Sequence, residues 1–328
     1  MQRFQFNNHS RSGKFCILFA AALVLAALPG LGAAMGLTVD LAPPNCGVEL
    51  TQQDAPLLAA AQRLAGSKVA RGQSNIAWAW LGSPTTRYPH TALGSRFHAG
   101  SLHVLLARGA GDARAPVEVS YLLPFTRVFE DLVVRLVDMN QDGRDEVIVI
   151  EADALRGASV VVLGLVGTGD AQTLVELARS PPAGSTFRWL NPVGVADFDG
   201  DGKLDVAAVI TPHIGGELTL YHYAPPKLVP YAKAMDTSNH LMGAPEQQLS
   251  VVLQKSGQRP TVIMPDMSLK ALHALRWEGT AASGKFKELA DVVALPARIE
   301  RIARVLDAPG AICLLLADGT WRRVALLH

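Results

Sequence analysis

The sequence predicts an all-β fold: a β-propeller of about five to seven four-stranded blades, with a short N-terminal helix outside the ring. From about residue 75 onward, strand-length apolar runs alternate with turns rich in Gly, Pro, Asp and Asn. A unit of strand, glycine-containing loop and strand recurs roughly every 50 residues. One such unit cannot bury both of its faces, so we expect the units to stack until a ring closes.

The composition is that of an ordered protein without a strong charge bias. The chain has 328 residues, a net charge of +1 and 18% charged residues. The chain has no excess of basic residues that would indicate a nucleic-acid partner, and it has no acidic tail. The length is sufficient for one large domain or two medium ones.

Residues 1–34 have the pattern of a signal peptide. Its basic residues are Arg3, Arg11 and Lys14. The apolar run at 15–28 is shorter than the roughly 20 residues of a membrane span, and small residues allow cleavage after Ala33 or Ala34. We therefore expect an exported protein, periplasmic or extracellular, with no membrane span after cleavage. An uncleaved anchor is the alternative.

Residues 35–74 form a lead before the predicted propeller of residues 75–328. The segment 51–72 has helix signals: Thr51 and Asp54 at capping-box spacing, good helix formers, and Gly72 at its end. We therefore expect a short helix here, outside the ring.

The repeat is marked by one glycine in each copy. The marker glycines are Gly100, Gly143, Gly202, Gly257 and Gly310. The last copy has room for three strands only, so we expect an N-terminal strand to complete it. That closure would bring Cys46 near Cys313, and export permits a disulfide between them. Two buried free thiols are the alternative.

Two of the loops are rich in carboxylates. Positions 1, 3, 5, 7 and 9 are Asp138, Asn140, Asp142, Arg144 and Glu146 in one loop, and Asp197, Asp199, Asp201, Lys203 and Asp205 in the other. Side-chain oxygens at 1, 3, 5 and 9 and the backbone carbonyl at 7 can surround a hard cation, while the glycine at 6 permits the turn. Neither loop contains Cys or His, which argues against zinc or copper. The sequence predicts two Ca²⁺ sites, with acidic turns that bind no metal as the alternative.

The acidic loops are not EF-hands. An EF-hand loop has a bidentate Glu at position 12 and a helix on each side. Position 12 is Val149 in one loop and Ala208 in the other, and strand-like runs flank both.

These loops resemble the calcium loops of FG-GAP repeats, found in integrin α-subunit propellers, and the related VCBS-type repeats of bacterial exported proteins. The resemblance covers roughly residues 91–328 and is specific only in the two acidic loops. Glu146 departs from it, because the family usually has Asp at position 9. The resemblance implies a propeller with structural metals and a surface that binds partners.

The sequence therefore predicts a non-catalytic binding or scaffold module for a protein or carbohydrate partner. The alternative is a carbohydrate-active enzyme, a polysaccharide lyase or hydrolase, with its site at the propeller mouth. We assign no catalytic residue, since no nucleophile elbow, HExxH motif or phosphate loop is present. An enzyme would gather acids, His, Lys or Arg on the ring axis, whereas a binding module would expose an apolar patch. Glu130, Asp131 and Arg135 are predicted to form a solvated charged edge.

Overall fold

The computed structural model describes residues 36–43, 46, 63–108, 115–305 and 310–327. All of them belong to one compact unit, Ala34–His328. Apart from a 3₁₀ turn at Gly169–Ala171, the regular structure in these ranges consists of β-strands. No helix in them has the length and apolar character needed to cross a membrane. The predicted signal peptide lies outside the described residues.

The strands are numbered in chain order. They are β1 (Gly36–Leu41), β2 (Ala70–Arg71), β3 (Ile76–Thr85), β4 (His98–Leu106), β5 (Glu118–Leu122), β6 (Arg127–Phe129), β7 (Arg135–Val137), β8 (Glu146–Asp153), β9 (Gly157–Val166), β10 (Thr173–Arg179), β11 (Leu190–Ala196), β12 (Asp205–Ile210), β13 (Glu217–Ala224), β14 (Lys227–Ala234), β15 (Val251–Leu253), β16 (Thr261–Pro265), β17 (Ala271–Gly279), β18 (Gly284–Glu288), β19 (Val293–Ala294), β20 (Ile299–Arg304), β21 (Ala311–Leu316) and β22 (Trp321–Leu327).

Antiparallel pairing groups these strands into five four-stranded units, which we call sheets 1 to 5. Sheet 1 contains β2 to β5, sheet 2 contains β7 to β10, sheet 3 contains β11 to β14 and sheet 4 contains β15 to β18. Sheet 5 contains β20 to β22 together with β1. The short strand β6 pairs with both β4 and β8 and so joins sheets 1 and 2. In every sheet, sequential strands are neighbours.

The N-terminal strand completes the last sheet, as the sequence predicted. Strand β1 pairs antiparallel with β22, in a register that runs from Gly36 opposite Leu327 to Leu41 opposite Arg322. Just beyond β1, Cys46 is joined to Cys313 of β21 by a disulfide, with a Cα–Cα distance of 5.8 Å. The two ends of the propeller region are thus held together by a strand pair and a covalent bond.

The composition of each strand matches its burial. The middle strands β8 and β9 are continuous Val, Ile and Leu runs, buried along nearly their whole length. The fourth strands β10 and β14 alternate buried and exposed residues, because one of their faces meets water. Continuous apolar strands need both faces covered, and here the adjacent sheets cover them.

The sheets pack face to face in sequence. One apolar cluster joins sheets 3 and 4 through Phe198, Val262 and Trp277. Another joins sheets 4 and 5 through Leu272 and Ile312. The first strands of sheets 2 to 5 line a common cavity of about 420 Å³, which we call the channel. First strands around a shared axial cavity are consistent with a β-propeller-like fold.

The predicted helix at 51–72 is wrong in its described part. Residues 51–62 lie outside the described residues. From Arg63 the chain forms a β-bridge to Gly82, a turn, and then strand β2. Val69 and Leu64 are buried, so packing against sheet 1 overrides the local helix propensity.

The first marker glycine was also misplaced. In sheets 2 and 3 the marker lies between the first and second strands, but Gly100 lies within β4, the third strand of sheet 1. The glycine that occupies the equivalent turn is Gly72, between β2 and β3. A Cβ atom there would lie only 2.0 Å from the carbonyl oxygen of Ile76, so no other residue fits.

The predicted solvated edge is buried. Glu130 and Asp131 are both 0% exposed. Asp131 Oδ2 accepts hydrogen bonds from Ile150 N and Arg135 Nη1, each at 2.9 Å. A buried carboxylate needs such partners, and β8 and Arg135 supply them here.

Candidate metal centre

The acidic loops are the first turns of sheets 2 and 3. Residues 138–146, the first loop, connect β7 to β8, and residues 197–205, the second loop, connect β11 to β12. Because antiparallel connections alternate between the two ends of a sheet, both loops lie at the same type of sheet end. Gln141 Nε2 of the first loop donates to Gly202 O of the second at 3.2 Å, so the two loops are in contact.

The second loop is folded around its own carboxylates. Asp197 accepts Gly200 N at Oδ1, at 2.7 Å, and Gly202 N at Oδ2, at 3.0 Å. Asp201 Oδ1 accepts Lys203 N at 2.8 Å. Gly200 and Gly202 both have positive φ, 76° and 87°, which glycine adopts without strain. The side-chain oxygens are therefore directed inward by the backbone.

The first loop repeats this network with one difference. Gly143 N donates to Asp138 Oδ2 at 2.8 Å, and Arg144 N donates to Asp142 Oδ1 at 2.9 Å. At position 4, however, Gln141 has a φ of 61° where the second loop has glycine. A non-glycine residue with positive φ is strained, so this conformation costs more free energy in the first loop than in the second.

The acid at position 9 is buried in both loops. Asp205 Oδ2 accepts Phe198 N at 3.2 Å, and Glu146 Oε2 accepts Met139 N at 2.8 Å. Burial raises the pKa of Glu146 to about 7, with the charges of Asp142 and Asp138 adding to the effect. Burial likewise raises the pKa of Asp205 to about 6. A cation beside these groups would favour their ionised form.

Carboxylates converge in the second loop. Oxygen atoms of Asp197, Asp199 and Asp205 all lie within 4.8 Å of one another. A second group of the same span combines Asp199 and Asp201 with a nitrogen of His222. Among the described residues, no comparable group is found in the first loop.

In the first loop, position 3 is an asparagine whose amide group bonds to the carboxylate at position 5. Asn140 Nδ2 donates to Asp142 Oδ2 at 3.1 Å, and Asn140 Oδ1 accepts Asp142 N at 2.9 Å. The backbone bond between these positions also occurs in the second loop, where Asp201 N donates to Asp199 Oδ1 at 3.2 Å. Of the two loops, the second therefore presents the more compact set of oxygen donors.

Two residues beside the second loop were missed by sequence reasoning. His222 lies opposite Asp205 in the β12–β13 register, and its Nδ1 is 2.9 Å from Asp205 Oδ1. Tyr231 donates its hydroxyl to Asp205 Oδ2 at 2.8 Å. Both residues come from later strands of the same sheet. Extending the strand register from the loop into β13 would have identified His222. The residue spacing within the loop alone could not identify it.

The position-7 residues were predicted to contribute backbone carbonyls, and their side chains point elsewhere. Arg144 Nη2 donates to Gln172 Oε1 at 2.8 Å and to Leu165 O at 3.3 Å. Lys203 is exposed, with its Nζ 4.0 Å from Asp201 Oδ2. Neither cation occupies the space between the carboxylates of its loop.

Each loop also contacts the preceding or following sheet. Asp145 Oδ2 accepts Gln73 N and Ser74 N from the first turn of sheet 1, at 2.9 and 3.1 Å. Asp199 Oδ2 accepts Ala281 N from the β17–β18 turn of sheet 4, at 3.2 Å. A cation that fixes a loop would therefore also fix the packing of adjacent sheets.

The donor set fits a hard divalent cation. Its core is three carboxylates within reach of one point, with Asp205 held by Tyr231 and His222 and with the His222 imidazole at the margin. Carboxylate oxygens of this number are the ligands that Ca²⁺ and Mg²⁺ prefer, whereas zinc and copper sites are built on His or Cys.

Comparison with known families agrees with the loop geometry. A family model described as an FG-GAP-like repeat matches residues 138–208, which contain both acidic loops and strand β8 to most of β12. No curated protein matches the chain in sequence. Residues 138–208 therefore carry an FG-GAP-like repeat, as expected for an FG-GAP-type repeat protein.

Proposed function

We propose that the chain is an exported, calcium-stabilised, five-bladed β-propeller that acts as a non-catalytic binding module. The observation that carries this proposal is the convergence of Asp197, Asp199 and Asp205 in a loop of an FG-GAP-like repeat. Calcium would bind in the second loop, and more weakly in the first, where the donors are less convergent. Its role there is structural, because each loop hydrogen-bonds to an adjacent sheet.

The blade number rests on the pairing of the strands. Five four-stranded sheets follow each other along the chain, and β1 returns to complete the fifth. Sheets 2 to 5 place their first strands around the channel. Strands β1 and β2 are consecutive among the described strands, so closure of the ring between sheet 5 and sheet 1 is compatible with the strand order.

An exposed apolar patch supports a binding role. Phe187, Ile214 and Met242 are 43%, 63% and 51% exposed, and they surround a small cavity beside Trp189 and His213. They lie on connections at the sheet ends opposite the acidic loops. Grouped exposed apolar side chains of this kind mark protein-interaction surfaces more often than they mark inert surface.

The channel does not favour the carbohydrate-active alternative. Its charged lining residues are Arg135 and Arg304, and none of the described residues that line it is a carboxylate. Glycoside hydrolysis ordinarily needs a pair of carboxyl groups about 5–10 Å apart across the sugar. The ring axis therefore lacks, in its described part, the groups that such an enzyme requires.

Calorimetric titration of residues 35–328 with Ca²⁺ tests the proposal. The protein would first be dialysed against a chelator, and Asp199→Asn compared with Asp291→Asn, an exposed acid remote from the loops. We expect saturable binding by the wild type and by Asp291→Asn. Loss of one charged ligand should weaken binding about 10-fold or more in Asp199→Asn. Equal affinities in both folded variants, or no heat of binding, would overturn the metal assignment.

A further inference from the structure

A second polar site lies between sheets 4 and 5. There the two sheets separate to leave a cavity of about 520 Å³, which we call the cleft. Its lining includes Leu253, Lys255, Arg259, Arg276, Arg323 and Leu326. The volume is within the range of small-molecule sites, about 300–1,000 Å³.

The cleft occupies a place that is apolar in the neighbouring sheets. Position 10 of each repeat, the residue after the last loop position, faces a partner on the third strand. The partners in sheets 2 and 3 are the fully buried pairs Val147 with Leu163 and Val206 with Tyr221. In sheet 4 the residue at position 10 is Thr261. The next step of the β16–β17 register, beyond Val262 opposite Leu275, sets Arg276 against it.

Arg276 continues an otherwise apolar row. Leu272 and Ala274, four and two residues before it on the same face of β17, are buried in the cluster between sheets 4 and 5. At loop position 2, Leu253 is only half-buried, whereas Phe198, its counterpart in sheet 3, is 1% exposed. In sheet 4, Leu253 and Arg276 thus take the places that buried apolar side chains fill in the neighbouring sheets.

The guanidinium of Arg276 is held in place by neutral groups. Its Nε and Nη2 donate to Thr261 Oγ1 at 3.2 and 2.9 Å, and Nη2 is 3.3 Å from Gln258 Oε1. Among the described residues, no carboxylate lies within 4.0 Å of it. Glu278, two residues along β17, pairs with Lys287 instead, at 3.3 Å. Within the described ranges, the charge of Arg276 is therefore positioned but not neutralised.

The turn beside the cleft reverses the charge of the acidic loops. The β15–β16 turn contains no acid, and it has Lys255 and Arg259 at loop positions 4 and 8. Arg259 donates to the carbonyls of Trp277 and Gly279, which fixes its position at the edge of the cleft. On the opposite wall, Arg323 has Asp40 as its cross-strand neighbour. None of the described lining residues is acidic.

We propose that the cleft binds an organic anion with a carboxylate or phosphate head group and an apolar body. The head group would contact Arg276 and Lys255, since charge-assisted hydrogen bonds to a carboxylate or phosphate are stronger than the bonds that Arg276 makes to neutral groups. The apolar body would lie on Leu253 and Leu326. This site is independent of the metal proposal, because none of these residues belongs to an acidic loop.

Titration with four probes tests the site and separates the sources of the anion. Octanoate and octyl phosphate carry both features, inorganic phosphate has the charge alone, and 1-octanol has the chain alone. We expect saturable calorimetric binding of at least one amphiphilic anion, with inorganic phosphate and octanol each at least about 10-fold weaker. Equal binding of octanol, or no binding of either amphiphilic anion, would overturn the proposal.

Variants locate the binding. Arg276→Leu restores the apolar pattern of sheets 2 and 3, so the protein should keep its melting temperature and lose about 10-fold or more in anion affinity. Lys255→Gln, at an exposed turn position, should weaken binding with no effect on folding. Lys285→Gln, an exposed β18 residue outside the cleft, is the matched control and should leave the affinity unchanged. Unchanged affinity in both folded cleft variants would contradict the assignment.

Discussion

At the scale of single residues, Asp205 is the most constrained acid of the second loop. It is fully buried. Its Oδ1 is paired with His222 Nδ1, and its Oδ2 accepts hydrogen bonds from the Tyr231 hydroxyl and from Phe198 N. Such partners orient a carboxylate and leave fewer positions for it to adopt. Residues that orient a ligand from behind typically change metal affinity about 10–100-fold when they are removed.

We therefore predict that His222→Gln weakens Ca²⁺ binding by about 10–100-fold while the protein stays folded. Calorimetric titration and a thermal melt in chelator would separate the two effects. His273→Gln is the matched control, because His273 forms the same kind of cross-strand pair with Glu288, at 2.9 Å, away from the acidic loops. Affinities that fall equally in both variants would show that His222 has no specific role.

A pair of histidines on the opposite sheet ends is buried without charge. His213 Nε2 and His240 Nδ1 are 2.8 Å apart, and His240 Nε2 donates to Ala244 O at 2.9 Å. Burial lowers the pKa of His240 to about 4. Burial, followed by the charges of His240 and His90, lowers the pKa of His213 to about 3.

We predict that this pair makes the protein acid-sensitive. Because the folded pKa of His240 lies below its unfolded value of about 6.5, the folded state is destabilised as pH falls from about 6.5 towards 4. The slope for one such group approaches about 1.4 kcal/mol per pH unit. Urea unfolding of wild type and His240→Gln at pH 7.5 and 5 measures it, and the variant should lose less stability on acidification. His273, whose pKa its Glu288 partner raises, has the opposite dependence and serves as the control.

At the scale of elements, the first loop also joins sheets 1 and 2. Asp145 is buried, its carboxylate accepts Gln73 N and Ser74 N, and its own N–H lies within hydrogen-bond distance of Ser74 Oγ and Asn75 Oδ1. Gly72 permits the close approach of this turn to Ile76. The contact depends on a carboxylate at position 8, where the second loop has Leu204.

We predict that Asp145→Ala lowers the free energy of unfolding by about 2–3 kcal/mol, because the backbone N–H groups of Gln73 and Ser74 lose a buried, charged acceptor. Chemical denaturation in chelator measures this without a contribution from metal. Asp291→Asn, at an exposed position, should change it by less than about 0.5 kcal/mol. A similarly small change in Asp145→Ala would mean that the contact between the sheets does not depend on this residue.

The elements differ in how far the sequence predicts them. The strands β8, β9 and β12 and the acidic loops follow from apolar runs and from the spacing of Asp and Gly. The strand β2 does not, since residues 63–72 have good helix propensity and become β only by packing on sheet 1. His222 and Tyr231 were not found because cross-strand neighbours depend on register, which spacing in one loop does not contain.

At the scale of the whole molecule, the ends of the propeller region are tied together twice. The β1–β22 pairing and the Cys46–Cys313 disulfide both connect the N-terminal lead to sheet 5. The last repeat has three strands instead of four, and this made the closure predictable from strand counting. The buried Glu130 and Asp131 were not predictable, because Asp131 is paired with Ile150 N of β8 and with Arg135, and Glu130 is paired with His90, forty residues earlier in the chain.

We predict that the double variant Cys46→Ala/Cys313→Ala is less stable by about 2–5 kcal/mol, since a bond across 267 residues restricts the unfolded chain. Urea unfolding measures the change, and reduced wild type should match the variant. Mass spectrometry of the non-reduced protein after alkylation is the direct check. Two alkylated thiols in residues 35–328 would contradict the disulfide.

The central claim is that the second acidic loop holds calcium. Anomalous diffraction from crystals grown with CaCl₂, measured at a long wavelength where calcium scatters anomalously, tests it most directly. We expect a difference peak about 2.3–2.6 Å from side-chain oxygens of Asp197, Asp199 and Asp205. A map with no peak at this loop, from crystals of well-folded protein in saturating calcium, would contradict it.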